Sequence, residues 1–261
     1  YAELGRRVSA LASFLEDRGV RPGHRVALML PNGLDYVVGF LAIVRAGAIV
    51  VPLNDHYQQP EILHFIRTCR VSLWITSREF SELSRGVLDE YGDCEGLFME
   101  EAPRALSPGT PPGSDRGDPS APVLYQFSSG STGTPKRIAR SHSNLLFELA
   151  ALSATLGTSN TDRFLGVAPF SHVNGLMRSM LTCLYSGAAL YPLPRFERRT
   201  AAELIEREAL TVFIAVPFMF SMLAKATFRR PPDFSSLRLC ISASAPMLSS
   251  NGTSVSEAWS W

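Results

Sequence analysis

Short, uninterrupted apolar runs alternate with segments of helical periodicity along most of this 261-residue chain. Residues 26–30 and 48–53 are runs of this kind, residues 71–76 form a third, mostly apolar run, and apolar residues recur at helical spacing between them. Strands that are apolar at every position are typical of a parallel sheet covered by helices on both faces. The sequence therefore predicts an α/β fold made of two doubly wound, mainly parallel βα halves.

A stretch rich in proline, glycine, serine and aspartate interrupts this alternation at residues 101–120. Such a composition predicts a linker or surface loop. It separates an N-terminal βα part, residues 1–100, from a second βα part, residues 121–248. The last segment, residues 249–261, has no apolar period, and we expect it to be disordered or foreign to the fold.

Composition excludes several classes of protein. The chain is 46% apolar and 19% charged, as in an ordinary globular protein, and its net charge of +1 gives no electrostatic basis for binding nucleic acid. Four cysteines without metal-ligand spacing or disulfide density favour a reducing cytoplasm, and no metal ligand is assigned. The most apolar stretch, residues 36–53, is interrupted by Arg45 and Gly47, which predicts a helix and a strand instead of a membrane span. The oligomeric state is left open.

A loop of small hydroxyl and glycine residues with one lysine is the first candidate site. Residues 125–137 read Tyr-Gln-Phe-Ser-Ser-Gly-Ser-Thr-Gly-Thr-Pro-Lys-Arg and follow a predicted buried strand. Gly130 and Gly133 let the backbone approach a ligand, successive N–H groups form an anion-binding concavity, and Lys136 adds a mobile charge. A flexible Gly/Ser linker has a similar composition but is not held between a strand and a helix. The candidate phosphate-binding residues are Ser128, Ser129, Gly130, Ser131, Thr132, Gly133, Thr134 and Lys136.

This string resembles the phosphate-binding motif of the AMP-forming adenylating enzymes, which include acyl- and aryl-CoA synthetases, peptide-synthetase adenylation domains and luciferases. Residues 127–136 match the motif with Ser128 in place of threonine, while Arg137 replaces the final glycine. The resemblance implies that the chain is most of the large N-terminal domain of such an enzyme. It also implies that Lys136 acts in catalysis by holding the β- and γ-phosphates of ATP.

A histidine-containing segment forms the second candidate site. Residues 168–175 read Ala-Pro-Phe-Ser-His-Val-Asn-Gly, at another predicted strand end. An isolated histidine there would more often be a core or helix-cap residue. The segment is similar, however, to the family motif Pro-[Phe/Met]-x-His-x-x-[Gly/Ala], whose histidine lines the carboxylate and pantetheine side of the site. The resemblance implies a catalytic role for His172 and substrate contacts from His172, Asn174, Gly175, Val216 and Pro217.

The same segment bears on the type of acid. Amino-acid-activating relatives usually carry an aspartate here that pairs with the substrate ammonium, whereas residues 171–175 contain no carboxylate. An ammonium group without a partner would be costly to bury. We therefore expect a plain organic acid as the substrate.

A small-residue segment after the last predicted strand is the third candidate site. Residues 239–247 read Leu-Cys-Ile-Ser-Ala-Ser-Ala-Pro-Met. An ordinary strand-to-loop turn is one interpretation. The segment also resembles the family's Ser-Gly-Gly-Ala-Pro-Leu, whose backbone cradles adenine, with Ala243 and Ser244 in place of the glycines. The implied nucleotide-binding residues are Ser242, Ala243, Ser244, Ala245 and Pro246.

Together these motifs imply ATP-dependent activation of a fatty or aromatic acid to an acyl-adenylate, followed by thioester formation with CoA. ATP, Mg²⁺ and CoA are the implied cofactor and co-substrates. An adenylation domain or acyl-AMP ligase that loads a carrier protein, and a non-catalytic nucleotide-binding remnant, are the alternatives. The motif resemblance ends near Leu248, before the family's magnesium-binding glutamate and C-terminal lysine. We therefore expect this chain to be inactive alone.

Overall fold

The computed structural model describes residues 1–103, 118–128 and 136–244. The chain divides into two compact units, Tyr1–Phe147 and Glu148–Trp261. No helix in the described ranges is long and apolar enough to cross a membrane.

The first unit is built around a six-stranded sheet with the order β4-β3-β1-β2-β5-β6. All neighbouring strands are parallel except β5 and β6, which form an antiparallel hairpin. The strands are β1 (Arg25–Leu28), β2 (Ile49–Pro52), β3 (Leu73–Thr76), β4 (Glu95–Phe98), β5 (Pro122–Ser128) and β6 (Lys136–Ser141). The helices are α1 (Ala2–Asp17), α2 (Leu34–Arg45), α3 (Gln59–Cys69), α4 (Ser81–Tyr91) and α5 (His142–Leu156), the last of which continues beyond this unit.

Burial in this sheet agrees with the apolar runs of the sequence. Every residue of β2 and β3 is buried, as expected for strands covered on both faces. Turn geometry also follows from the sequence at Gly47, which ends the α2 region with φ +72°. A side chain at Gly47 would lie 3.1 Å from the Pro22 ring, so both the backbone conformation and the close approach require glycine.

Three features of the first unit differ from the sequence expectation. The helix predicted directly after the phosphate loop is preceded by β6, an edge strand whose first four residues are exposed and therefore carry no burial pattern. The hairpin of β5 and β6 lies within residues 121–248, which we predicted to form the second βα part. In the structure it pairs with the first sheet through β2. Helix α4 and strand β4 were not anticipated, because their residues are largely polar and half exposed.

The second unit contains a four-stranded, wholly parallel sheet with the order β10-β9-β7-β8. Its strands are β7 (Arg163–Gly166), β8 (Ala189–Pro192), β9 (Val212–Ala215) and β10 (Leu239–Ser242). The helices are α6 (Thr182–Tyr185), α7 (Arg198–Arg207) and α8 (Pro217–Ala224), and a π-helical segment, Asn174–Leu181, leads into α6. Both units therefore have the mainly parallel α/β architecture that the sequence predicted.

Candidate active site

Three of the predicted site segments follow neighbouring strands of the second sheet. Strand β9 lies between β10 and β7, and the parallel arrangement puts all their carboxyl ends at one edge. Val216 and Pro217 follow β9, Ala243 and Ser244 follow β10, and the His172 segment follows β7. Ligands of open α/β sheets bind at this kind of edge. We call it the carboxyl edge of the second sheet.

The His172 segment is held by its own backbone. The amide of His172 donates to the carbonyl of Pro169 at 3.0 Å, and the carbonyl of His172 accepts from the amide of Leu176 at 2.8 Å. Phe170 is fully buried and anchors the turn, whereas His172 is exposed. The fold thus keeps this imidazole outside the core, where a ligand can reach it.

Gly175 allows the π-helical segment to pack against the end of β7. A side chain at this position would lie 2.2 Å from the carbonyl oxygen of Pro169 and 2.4 Å from that of Ala168. Both neighbours are backbone atoms, so neither can move aside by rotation about a side-chain bond. The predicted substrate contact of Gly175 stays a prediction, and the structure shows this packing role.

Buried polar groups without partners lie in the same part of the second unit. The Nδ2 atom of Asn174, a residue only 3% exposed, has no hydrogen-bond partner among the described residues, although its Oδ1 accepts from Arg178 at 3.4 Å. The hydroxyls of Ser242, at the end of β10, and of Ser179 are also buried and have no partner in the part of the chain that the structure describes. Leaving such a group unsatisfied costs about 1–3 kcal/mol. Groups of this kind are candidates for ligand contacts.

Ser179 was missed by the sequence analysis. It is five residues from Asn174, and π-helical i→i+5 bonding places residues at this spacing on one side of the helix. Helical periodicity of the ordinary kind would separate them. The signal that could have found Ser179 is its spacing of five residues from Asn174, if the segment is taken to be π-helical.

The predicted adenine segment shows backbone strain. Ser244 has φ +75°, in the left-handed region that favours glycine. The family segment that it resembles has a glycine there, so the conformation agrees with the resemblance, although serine adopts it at some cost. The amide of Ala243 donates to the carbonyl of Ala215 at 3.0 Å and fixes the turn beside β9. Ala245 and Pro246 lie outside the described residues.

The phosphate loop is described only at its two ends. Ser128 and Lys136 are paired across the β5–β6 hairpin, and Lys136 is exposed. The hairpin therefore holds both ends of the loop in register. The other predicted phosphate contacts lie outside the described residues, namely Ser129, Gly130, Ser131, Thr132, Gly133 and Thr134.

Neither a metal cluster nor a reactive thiol is found in the part of the chain that the structure describes. No group of three or more histidine, cysteine, aspartate or glutamate side chains there could hold a metal ion. The cysteines are free, and burial raises the pKa of Cys69 to about 11 and that of Cys183 to about 12. These two thiols are therefore neutral at physiological pH and serve packing.

Comparison with known proteins agrees with this geometry. The sequence profile of the family described as "AMP-binding enzyme" matches residues 1–259. The chain belongs to this family. The match continues past Leu248, where the motifs alone had ended the resemblance, so the AMP-binding enzyme likeness covers more of the chain than they indicated.

Individual AMP-binding enzymes resemble the chain over most of its length. Feruloyl-CoA synthase of an Amycolatopsis species is 32% identical over 251 residues, which are 95% of this chain and 49% of that protein. Salicyl-AMP ligase / salicyl-S-ArCP synthetase of Mycobacterium tuberculosis is 30% identical over 254 residues, with coverages of 92% and 45%. The crystal structure of ATP-bound MatB from Rhodopseudomonas palustris superposes with a TM-score of 0.82 at 26% identity, covering 95% of this chain and 50% of that one. The chain spans about half the length of the curated relatives it matches.

Proposed function

We propose that this AMP-binding enzyme activates a fatty or aromatic carboxylic acid with ATP and transfers the acyl group to CoA. The carboxylate attacks the α-phosphorus of ATP and pyrophosphate leaves. The CoA thiol then attacks the acyl carbon, and AMP leaves with the bonding electrons. The observation that carries the proposal is the carboxyl edge of the second sheet, where His172, the Val216–Pro217 pair and the Ser242–Ser244 turn follow three adjacent strands.

Each segment has a role that suits its chemistry. Lys136 and the hydroxyl loop would hold the β- and γ-phosphates, because an ammonium group and backbone N–H groups stabilise phosphate oxygens. The backbone from Ser242 to Pro246 would contact adenine. Asn174, Gly175, Val216 and Pro217 would line the acid, with His172 beside its carboxylate. Mg²⁺ would enter with ATP, and since the described residues offer no ligand cluster for it, no step is assigned to the metal.

Two alternative functions would use the same nucleotide-binding residues without transferring the acyl group to CoA. Transfer to a carrier protein is supported by the salicyl-AMP ligase relative, which is nearly as similar to the chain as the feruloyl-CoA synthase. A domain that binds nucleotide without turnover is the second alternative, and it would show nucleotide binding without pyrophosphate exchange. All three functions share the nucleotide site. The two enzymes differ in the acceptor that follows adenylation, and the binding domain does not adenylate.

Carboxylate-dependent exchange of pyrophosphate into ATP tests the first step. The intact protein should catalyse exchange with at least one acid from a panel of hydroxycinnamic, salicylic and fatty acids. It should show none with amino acids. Failure across the whole panel would contradict adenylation. Where exchange is seen, consumption of CoA thiol separates the ligase from a carrier-loading enzyme.

The lysine role can be tested with a matched control, because Lys136 and Lys225 are the two lysines of the chain. Lys225 is exposed at the C-terminal end of α8, away from the carboxyl edge. Loss of a charge-assisted contact should weaken ATP binding by K136A about tenfold, while a preformed acyl-adenylate binds nearly as before. K225A should bind both ligands normally. Equal losses for both ligands in K136A would mean that the lysine serves folding.

A further inference from the structure

Three arginines meet at an open pocket of about 480 Å³ in the first unit. They are Arg25, at the start of β1, Arg70, just after α3, and Arg137, in β6. The other residues of the lining are a glycine, a threonine, a cysteine and a tyrosine, none of which supplies a carboxylate. The lining therefore concentrates positive charge without a built-in counter-charge.

Arg25 is fixed in place by the backbone. Its Nε donates to the carbonyl of Cys69 at 2.9 Å, its Nη2 to the carbonyl of Arg70 at 2.6 Å, and its Nη1 to the carbonyl of Gly23 at 3.3 Å. A guanidinium has five N–H donors, so donors remain for a ligand. Because the group is already ordered, a bound anion would not have to immobilise it.

Arg70 and Arg137 have no carboxylate partner among the described residues. The guanidinium of Arg137 lies 4.7 Å from the centre of the Tyr125 ring, which orients it towards the pocket. Arg70 is held at the end of α3 in a left-handed conformation with φ 51°. Both side chains are exposed, and an incoming anion can reach them.

Nearby acidic groups do not neutralise the pocket. Burial raises the pKa of the Cys69 thiol to about 11, although Arg137 hydrogen-bonds to it, so the thiol is uncharged at neutral pH. Burial raises the pKa of Tyr91 and Asp93 raises it further, whereas Arg25 and Arg70 lower it. Asp93 therefore lies in the surroundings, but it is exposed and forms no ion pair with these arginines.

The pocket is separate from the predicted phosphate-loop lysine. Successive side chains of a strand point to opposite faces, so Lys136 and Arg137 serve different faces of the β5–β6 hairpin. The family motif that the loop resembles has glycine at position 137, so the Arg137 side chain is a departure of this chain from that motif. ATP binding at the loop does not account for an arginine at this position.

We propose that Arg25, Arg70 and Arg137 form an oxyanion-binding pocket for a phosphate monoester or free phosphate. Guanidinium groups pair with the oxygens of such anions through two parallel hydrogen bonds, which a single lysine cannot do. An open pocket with a fixed central arginine and two exposed flanking arginines suits a small tetrahedral anion. The source of the phosphate, free or carried on a nucleotide, is distinguished by the ligands of the test.

Titration calorimetry with inorganic phosphate and with adenosine 3′-monophosphate tests the proposal on the intact protein. A K136A background reduces binding at the phosphate loop. In that background R70Q and R137Q should each weaken phosphate binding about tenfold, the loss expected for one charge-assisted pair. R6Q, which removes an exposed α1 arginine paired with Glu3, is the control and should bind as K136A does. Tighter binding of the nucleotide than of phosphate indicates a nucleotide source, and equal binding indicates the free anion.

Two results would overturn the proposal. One is the absence of phosphate binding in the K136A background, and the other is binding that R70Q, R137Q and R6Q all leave at the same strength. Circular dichroism checks that each variant is folded. If R137Q is unfolded, R137G replaces it, because glycine is the residue of the motif that the loop resembles.

Discussion

The two edges of the second sheet differ in how most of their polar groups are satisfied. We call the side of this sheet opposite its carboxyl edge, where its parallel strands begin, the amino edge. One buried atom at the amino edge, Nε of Arg163, has no partner among the described residues. Otherwise, residues just before β7, β9 and β10 join there in one hydrogen-bonded network around Asp162. Its carboxylate accepts from Arg238 at 2.6 and 2.7 Å, from Thr211 at 2.7 Å and from the Ser159 amide at 2.9 Å. At the carboxyl edge and the adjoining π-helical segment, Ser242 and Asn174 have buried polar atoms that find no partner within residues 1–103, 118–128 and 136–244.

This difference separates what holds the sheet together from what is open to a ligand. Asp162 is 2% exposed, and its network joins the chain just before β7, β9 and β10, which are adjacent strands of this sheet. A buried carboxylate is tolerated only when hydrogen bonds replace water, and here they do. The Nδ2 group of Asn174 and the hydroxyl of Ser242 have no such replacement within the described residues. We therefore expect mutations at the amino edge to reduce stability, and those at the carboxyl edge to reduce activity.

The largest expected effect on stability is at Gly175. This residue packs against backbone carbonyls and is also a predicted substrate contact, so the two roles have to be separated. G175A would place a methyl group 2.2 Å from a backbone oxygen, and we expect the free energy of unfolding to fall by about 3 kcal/mol or more. Urea denaturation followed by circular dichroism measures the change. G5A is the control, because Gly5 lies in α1 and a methyl group there would meet open space, so alanine should stabilise by about 0.5–1 kcal/mol. A loss below about 1 kcal/mol in G175A would mean that the segment relaxes and that its glycine serves the ligand.

Removing the carboxylate of Asp162 should have the next largest effect. D162A would leave the buried end of Arg238 and the Thr211 hydroxyl without their acceptor, which we expect to cost about 3 kcal/mol of unfolding free energy. This is the lower end of the range for a broken buried pair, because the Arg238 side chain is 42% exposed. D162N keeps the shape and loses the charge, so it should be intermediate. A cost as small as that of an ordinary surface mutation would show that the network is not what holds the amino edge.

The same pair predicts a pH dependence. Burial alone would raise the pKa of Asp162, but hydrogen bonds from Arg238, the Ser159 amide and Thr211 outweigh it and lower the pKa below its ordinary value. The stabilisation is therefore fully present above the unfolded-state pKa of about 3.9 and is lost as the pH falls through the lower folded-state pKa. The stability difference between the parent chain and D162N should be constant near neutrality and shrink only below about pH 4. A difference that shrinks already at neutral pH would contradict this assignment.

At the carboxyl edge, the expected effect on stability is smaller and of the opposite sign. N174L removes a buried amide whose Nδ2 has no partner among the described residues and whose Oδ1 accepts only a long hydrogen bond of 3.4 Å from Arg178. The free energy of unfolding should therefore stay the same or rise by up to about 1 kcal/mol. S242A, which removes an unpaired hydroxyl with little change of shape, should behave in the same way. Both variants should lower carboxylate-dependent pyrophosphate exchange in the intact protein. If either destabilises the fold as much as D162A, its polar group has a structural role and the contrast between the edges fails.

The sequence predicted the carboxyl edge better than the amino edge for a physical reason. Short apolar runs at residues 164–168 and 211–216 coincide with β7 and β9 to within a few residues, and each is followed by a recognisable motif. The partners Asp162 and Arg238 are 76 residues apart and belong to no motif. Their meeting depends on strand order, which local periodicity does not specify. Strand β6 was missed for a related reason, since an exposed edge strand has no alternation of buried and exposed residues.

The smallest expected effect distinguishes two explanations of the contrast between stability at the amino edge and activity at the carboxyl edge. Either the location of a polar group at one edge decides its role, or the presence of a hydrogen-bond partner does. Glu197 follows β8 on the carboxyl side of the sheet and caps α7, accepting from the amides of Arg199 at 3.1 Å and Thr200 at 2.6 Å. It is exposed but paired, so E197A should lower the free energy of unfolding by about 0.5–1 kcal/mol without changing pyrophosphate exchange.

The pH dependence of this cap provides an independent check. A hydrogen bond from the Thr200 hydroxyl, followed by those from the amides of Thr200 and Arg199, lowers the pKa of Glu197 to about 2. Its contribution is thus present above the unfolded-state pKa of about 4.3 and disappears as the pH falls towards the folded-state value. Chemical denaturation of E197A and the parent chain between pH 2 and pH 7 should show curves that converge at the acid end (roughly below pH 3). A constant difference across that range would mean that the carboxylate does not cap α7. Loss of pyrophosphate exchange in E197A would instead mean that hydrogen-bonded groups at the carboxyl edge also contact the ligand. The location of a residue at this edge would then predict its role, and the lack of a hydrogen-bond partner would not.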